Sequence, residues 1–236
     1  MSNMQTDINE KMRGILLDWL IDVHLKFKLL PETLFITVNV IDRYLSLVDI
    51  HRTKLQLVGV AALFIACKYE EVYSVPHIKD LVYVCDKAYT KEEILSMEGQ
   101  IIEKLDFNLI SVSPLRFLDY YTKQIKMDEK NYMLCRYLIE MTLIELKMAK
   151  YKPSMIACAS IYLVHKIRKN SQPWNEAQMQ KNTLYCEQEI RPCAKDLCTL
   201  LQTIDKRSTF KSLQRKFSLS QYCENPHNKY KNNSLL

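Results

Sequence analysis

Glycine is nearly absent: only three occur in 236 residues, alongside seven prolines. A sheet-rich fold needs permissive residues at each tight turn, so this scarcity excludes most β architectures and leaves an all-α fold as the economical reading. Paired cysteine motifs are missing too. Cys67, Cys85, Cys135, Cys158, Cys186, Cys193, Cys198 and Cys223 are scattered without a CxxC, and the five histidines fall at no metal-ligand spacing, so no structural zinc site is expected. Neither a secretory leader nor a transmembrane run opens the sequence, which with these cysteines points to a reduced intracellular setting and no membrane partner. Nor is there a strong excess of one charge. The net +6 gathers near the C-terminus, in KRSTFKSLQRKF and NKYKNN, and reads as a solvated amphipathic surface rather than a nucleic-acid track.

Chemistry-bearing motifs are equally scarce. No phosphate-cradling glycine loop, nucleophile elbow or H-x-x-x-H pair occurs. Glu70 and Glu71 are adjacent on a helical pattern and point apart. Asp18 and Asp22 lie one turn apart without a histidine cluster, and His24 reads as a surface or satisfied core residue. No enzyme activity and no cofactor are expected.

What the chain does have is an unusually apolar opening helix. In MRGILLDWLIDVHLKFKLLPETL, Met12, Ile15, Leu16 and Trp19 form one stripe, while Leu17, Leu20, Ile21 and Val23 form a second. A two-sided helix is either central in a bundle or offers its second side to a partner. Arg13, set among this apolar surface, needs a carboxylate or carbonyl partner.

The pattern divides the chain. Residues 1–11 form a polar segment, with the first ten expected to fray. Helices are predicted over 11–29, 31–47, 53–71, 75–84 and 90–105, with Pro31 at a helix start and Thr90 and Glu93 forming a capping box. A short extended linker follows, then helices over 114–125, 128–145, 153–168, 173–183 and 187–205. LQLVGVAALFIACK, from Leu55, can be laid without gaps on PSMIACASIYLVHK, from Pro153. Gly59 then meets Ala157, Ala61 meets Ala159, and Asp42 corresponds to Glu140. Small residues recur where helices approach closely, so two tandem five-helix folds are predicted over 12–109 and 110–207, with a basic polar tail over 208–236.

Lys68 and Glu98, read in isolation, are solvated charges, and Ile65, Tyr69, Ile102, Phe107 and Leu109 are core residues. Their grouping raises another reading, in which lysine and glutamate hold opposite edges of a partner-binding surface and the large apolar side chains anchor it.

MRGILLDWLIDVHLKFKLLPETLFITVNVIDRYL, KLQLVGVAALFIACKYEE, AYTKEEILSMEGQIIEKLDF, VSPLRFLDYY, YKPSMIACASIYL and FKSLQRKFS together strongly resemble the cyclin family, particularly mitotic A/B-type cyclins. The resemblance runs from Met12 to Ser218. It implies two cyclin folds and a noncatalytic regulator of a cyclin-dependent serine/threonine protein kinase, in nucleus and cytoplasm. Kinase binding is then expected at Ile65, Lys68, Tyr69, Glu98, Ile102, Phe107 and Leu109. A docking patch for protein substrates with basic-x-leucine motifs is implied at Met12, Ile15, Leu16, Trp19, Asp22 and Gln56, with Asp22 attracting the basic residue. Arg13 and Asp42 match a buried ion pair, and Leu57 another structural position.

This chain departs from the family pattern in places. Asp22 stands where glutamate is common, Gly14 replaces a common alanine, YSVPHIKD adds one residue, and residues 1–11 contain no RxxL destruction segment. The alternative reading is a transcription-associated cyclin or a basal transcription factor with the same repeated fold; promoter DNA binding without a kinase would favour it.

Overall fold

Proline and capping chemistry set the helix starts. In the computed structural model, which describes residues 4–73, 75–168, 176–203 and 211–218, α2 (Pro31–Leu47), α6 (Pro114–Gln124) and α8 (Pro153–Ile167) each begin with proline in the first turn, where its missing N–H leaves nothing unsatisfied. α1 (Glu10–Lys26) is capped by the Asn9 side chain, which accepts from the Met12 N–H. α5 (Lys91–Lys104) opens on the expected reciprocal box of Thr90 and Glu93. α3 (Leu55–Glu70), α7 (Glu129–Ile144), α9 (Glu176–Thr183) and α10 (Glu187–Thr203) complete the main helices.

One start falls later than expected. α4 (Ile78–Val84) begins after Pro76, with His77 and Asp80 forming its capping box, because this pair satisfies the backbone donors that Val75 could not. The predicted start at Pro173 lies outside the described residues, as does the tail beyond Ser218.

The chain forms two compact units, divided between Ser111 and Val112. In the first, α3 packs against α1, α2 and α5; in the second, α8 packs against α6, α7 and α10. The two helices aligned by the internal repeat are thus the central helices of their units. Val58, Val60, Ala61 and Ala62 on α3, and Ala157, Cys158, Ala159 and Ile161 on α8, are fully enclosed. A Cβ added at Gly59 would lie 2.7 Å from Leu16 Cδ1, so the missing side chain is what lets α1 seat against α3. Burial pushes the Cys67 thiol up to about 12 and that of Cys158 up to about 11, which keeps both protonated as small core hydrophobes.

The shortage of glycine leaves a mark at helix ends. Lys28, Asp86, Lys87, Asp106, Phe107, Lys126 and Leu184 all adopt positive φ, the left-handed conformation that glycine usually supplies after a helix. A side chain there costs on the order of 1–2 kcal/mol, partly offset in any exchange by glycine's greater freedom when unfolded. Lys28→Gly (φ 53°) and Lys126→Gly (φ 51°) are therefore each expected to stabilise the protein by about 0.5–1 kcal/mol in urea denaturation, although both place glycine in the sequence.

Two parts of the chain differ from expectation. From Met4 onward the N-terminal segment is not frayed. Gln5 Nε2 donates to Leu45 O and Val48 O, and Ile50 N–H donates to Gln5 Oε1, so one amide side chain satisfies the end of α2 and the loop after it. Thr6 donates through N–H and Oγ1 to the Asp49 carboxylate, and Ile8 is buried. In the basic tail, α11 (Ser212–Ser218) is not simply a solvated surface. It packs on α7, burying Leu213, Lys216 and Phe217. Lys216 Nζ lies 2.7 Å from Glu140 Oε2, with neither side chain exposed, and Arg136 Nε lies 3.2 Å from Glu140 Oε1. A buried lysine becomes tolerable when such a carboxylate meets it.

Candidate functional site

The opening helix turns its two stripes to different environments. Leu17, Leu20, Ile21 and Val23 are buried in the first unit, and Arg13, only 2% exposed, reaches α2 to pair in bidentate fashion with Asp42, Nε–Oδ1 and Nη2–Oδ2 both at 2.6 Å. Leu57 is buried nearby in α3's core-facing set. His24 is enclosed as well, and its Nε2 donates to Leu30 O at 2.8 Å, closing the turn into α2. It is a core histidine, held through Nε2.

The other stripe lines an open groove of about 390 Å³ formed by Met12, Ile15, Leu16 and Trp19 of α1 with Leu55 and Gln56 of α3 and Arg52 just before it. Five of the six docking positions expected from the sequence are brought together here. Asp22 is not in this lining; it continues the Ile15 and Trp19 stripe by one further turn. Sequence reasoning missed Arg52 and Leu55. Arg52 is held by Asp7, whose carboxylate accepts from the Arg52 backbone N–H at 2.8 Å and from Nε at 2.7 Å, with Nη2 also paired to it. These hydrogen bonds hold Asp7 well below the usual carboxylate range, at about 2, so the pair stays charged throughout physiological pH.

A second surface gathers at the ends of α3 and α5. Lys68 and Glu98 do not stand at opposite edges. The close packing of α3 on α5 brings them into one ion pair, with the Lys68 Nζ also 4.2 Å from the Phe64 ring centroid. Tyr69, next to Lys68 in the chain, is 52% exposed and Phe107, just past the end of α5, is 77% exposed, while Ile102 and Leu109 are half-buried. Ile65 is different: it is 2% exposed and belongs to the core, so it shapes the surface from beneath. Phe107 and the preceding Asp106 both carry positive φ at the end of α5, where Phe107 N–H donates to Ile102 O at 3.0 Å.

Glu71, considered from sequence only as half of a failed acid and base pair, anchors the edge of that surface. Its Oε1 accepts from Leu30 N–H at 2.7 Å and Thr33 Oγ1 at 2.6 Å, tying the start of α2 to the end of α3. Val72 and Tyr73 follow as exposed apolar side chains. No helix among the described residues is long and apolar enough to cross a membrane, and no group of three or more His, Cys, Asp or Glu side chains there could hold a metal ion.

Two tandem helical units with a shared central-helix pattern and an Arg–Asp brace define a repeated cyclin-box architecture. The chain belongs to the cyclin family: the family model for the cyclin N-terminal domain matches residues 1–110, and that for the C-terminal domain matches residues 112–230. It is 44% identical to Cyclin-B2-2 of Oryza sativa subsp. indica over 92% of this chain and 51% of that protein. It is 43% identical to G2/mitotic-specific cyclin-B of Dictyostelium discoideum over 93% of this chain and 50% of that protein. The chain therefore spans about half the length of these curated relatives. In fold it is similar to a viral cyclin from herpesvirus saimiri, with a TM-score of 0.75, 21% identity, and coverage of 89% of this chain and 90% of that one.

Proposed function

We propose that this chain is a noncatalytic regulatory subunit that binds and activates a cyclin-dependent serine/threonine protein kinase, helps recruit its substrates and controls cell-cycle progression at mitotic entry. The observation that carries this reading is the Lys68–Glu98 pair that joins α3 to α5, with exposed Tyr69 directly following Lys68 and exposed Phe107 just past the end of α5. The B-type relatives, one of them named as G2/mitotic-specific, support the mitotic assignment.

The chemistry follows from the face. Phe107 and Tyr69 bury large rigid area at small entropy cost, and Lys68 and Glu98 offer a donor and an acceptor to backbone groups left open at a partner's helix end. Binding favours the kinase conformation that fits this face, with its regulatory helix inward and its activation segment ordered; the kinase supplies ATP binding and phosphoryl transfer. The groove along Met12, Ile15, Leu16, Trp19 and Gln56 holds substrates through basic-x-leucine motifs. This role needs no direct nucleic-acid or membrane contact and places the complex in nucleus and cytoplasm, which imaging of the tagged endogenous chain would test.

Phe107→Ala and the pair Lys68→Ala and Glu98→Ala are each expected to weaken kinase binding and activation at least tenfold. Phe107→Ala is the clean arm because its side chain is mostly in solvent and contributes little to the fold. Wild-type kinase affinity in both proteins, at unchanged thermal stability, would overturn the proposed activating face.

A further inference from the structure

The connection from α7 to α8 reads LKMAKYKP and sets Lys147, Lys150 and Lys152 close together in the second unit. Leu146–Lys150 form a short 3-10 helix. With three residues per turn, positions i and i+3 eclipse, so Lys147 and Lys150 stand on one face about 6 Å apart at a rise of roughly 2.0 Å per residue. Met148 between them is buried, and both lysines are exposed. Asp196 of α10 holds this face in place: its Oδ2 accepts from Lys150 Nζ at 2.8 Å and from Tyr151 Oη at 2.7 Å. The hydrogen bond from Lys150 above all keeps the Asp196 carboxyl below its ordinary range, and the charge of Lys147 adds to the effect, so Asp196 stays ionised. Exposed Lys195 precedes Asp196 on α10, and exposed Lys152 follows Tyr151. One carboxylate thus stands among four lysines. Lys147, Lys152 and Lys195 form no ion pair among the described residues.

The surroundings choose among anionic occupants. A single-stranded nucleic acid needs exposed aromatic faces for its bases. Tyr151, the aromatic at this patch, is half-buried, engaged through its hydroxyl, and has the Lys150 ammonium 4.8 Å from its ring centroid. Asp196 lies in the path of a continuous phosphate track and would repel it. No large apolar side chain of residues 146–153 is exposed, so nothing here inserts into a lipid surface. Carboxylates on a protein segment meet the spacing directly: in an extended chain, side chains two apart share a side and are separated by roughly 6.6 Å. We propose that this patch docks an extended acidic segment of a partner protein, with aspartate or glutamate at alternate positions facing Lys147 and Lys150 and further carboxylates meeting Lys152 and Lys195. An ammonium has three donors, so Lys150 keeps Asp196 and still reaches the segment. Asp196 is then a positioning residue, holding the 3-10 turn against α10. The patch lies wholly in the second unit and does not rest on the kinase-binding reading of the first.

The test uses the full chain at low salt, with fluorescent probes measured by anisotropy. One peptide carries three glutamates at alternate positions between serines; a second carries the same three glutamates in a row, and a third has glutamine in their place. A labelled DNA duplex is the fourth probe. Wild-type protein is expected to bind the first peptide about threefold more tightly than the second and to leave the third unbound, with affinity falling as salt rises. Lys147→Gln should weaken the first peptide by about two- to fivefold, the scale of one exposed charge pair, and adding Lys195→Gln should weaken it further at unchanged thermal stability. Lys91→Gln removes an equal charge from an exposed position in the first unit and should change nothing. Equal binding of the first two peptides overturns the alternate register. Wild-type affinity in the Lys147→Gln, Lys195→Gln protein, an equal loss in Lys91→Gln, or no binding of any peptide overturns the site. Tighter binding of the duplex than of the first peptide overturns the choice of an acidic protein segment.

Discussion

Arg13→Ala is expected to lower the stability of the first cyclin fold by about 3 kcal/mol or more, within the roughly 3–5 kcal/mol range for breaking a buried pair. Arg13 is enclosed, and both of its hydrogen bonds to Asp42 are 2.6 Å long. Asp42 is 28% exposed, so water can recover part of its charge once the arginine is gone, which places the cost toward the low end of that range. Urea denaturation measures the loss directly. Kinase binding should fall with the folded population and recover on cooling within the folded range, unlike the Phe107→Ala defect, which should persist in fully folded protein. Arg13→Met combined with Asp42→Leu removes both charges and should restore most of the stability. Failure of that double replacement to do so would show that the pair contributes shape or further contacts rather than charge balance.

The fold was legible because its instructions are local. Prolines at positions 31, 114 and 153 stand where helices begin, Thr90 and Glu93 announce a box, and the small residues of α3 recur in α8. The groove was legible for a related reason: Met12, Ile15, Leu16 and Trp19 share one helical stripe. Arg52 was not, since its place depends on a loop brought back beside Asp7 by the whole first unit. The fastened N-terminal segment escaped for the same reason. Gln5, Thr6 and Asp7 look like solvated polar residues until their partners at Leu45, Asp49 and Arg52 are brought alongside. On the proposed kinase face, spacing could bring Lys68 and Glu98 to neighbouring helices but could not show that they meet, nor that Ile65 lies beneath the surface rather than on it.

The internal repeat carries more than packing. Asp42 and Glu140 occupy corresponding places in the two halves, and both are carboxylates that hold cations. Their cations come from different parts of the chain. In the first fold Arg13 comes from the opening helix. In the second, Arg136 comes from one turn earlier on α7 and Lys216 from α11, beyond the fifth helix. The second fold therefore depends on residues that follow its helical repeat, and the edge-to-face rings of Tyr137 and Phe217, 5.2 Å apart, fix α11 in place.

Glu140→Gln should consequently damage the second fold at least as much as Arg13→Ala damages the first, by about 3–5 kcal/mol near neutral pH, because it leaves Lys216 fully buried without its carboxylate. Arg136 retains some access to water and can adapt; Lys216 has none. The pH dependence identifies the cause. Burial lowers the pKa of Lys216 below its ordinary 10.5, and the Glu140 charge opposes that shift. Between the lowered value and 10.5 the unfolded chain holds more protons than the folded one, so this group's contribution to stability rises with pH. Removing the Glu140 charge lowers the folded value further and opens that interval at lower pH. The deficit of Glu140→Gln relative to wild type should thus narrow between pH 7 and pH 9.5, as a neutral lysine becomes tolerable in the core. Hydrogen exchange of the α7 and α11 amides, with urea denaturation at both pH values, reads the change. A deficit that does not narrow would trace the loss to packing rather than to the stranded lysine, whereas recovery in Glu140→Leu with Lys216→Met would assign it to charge.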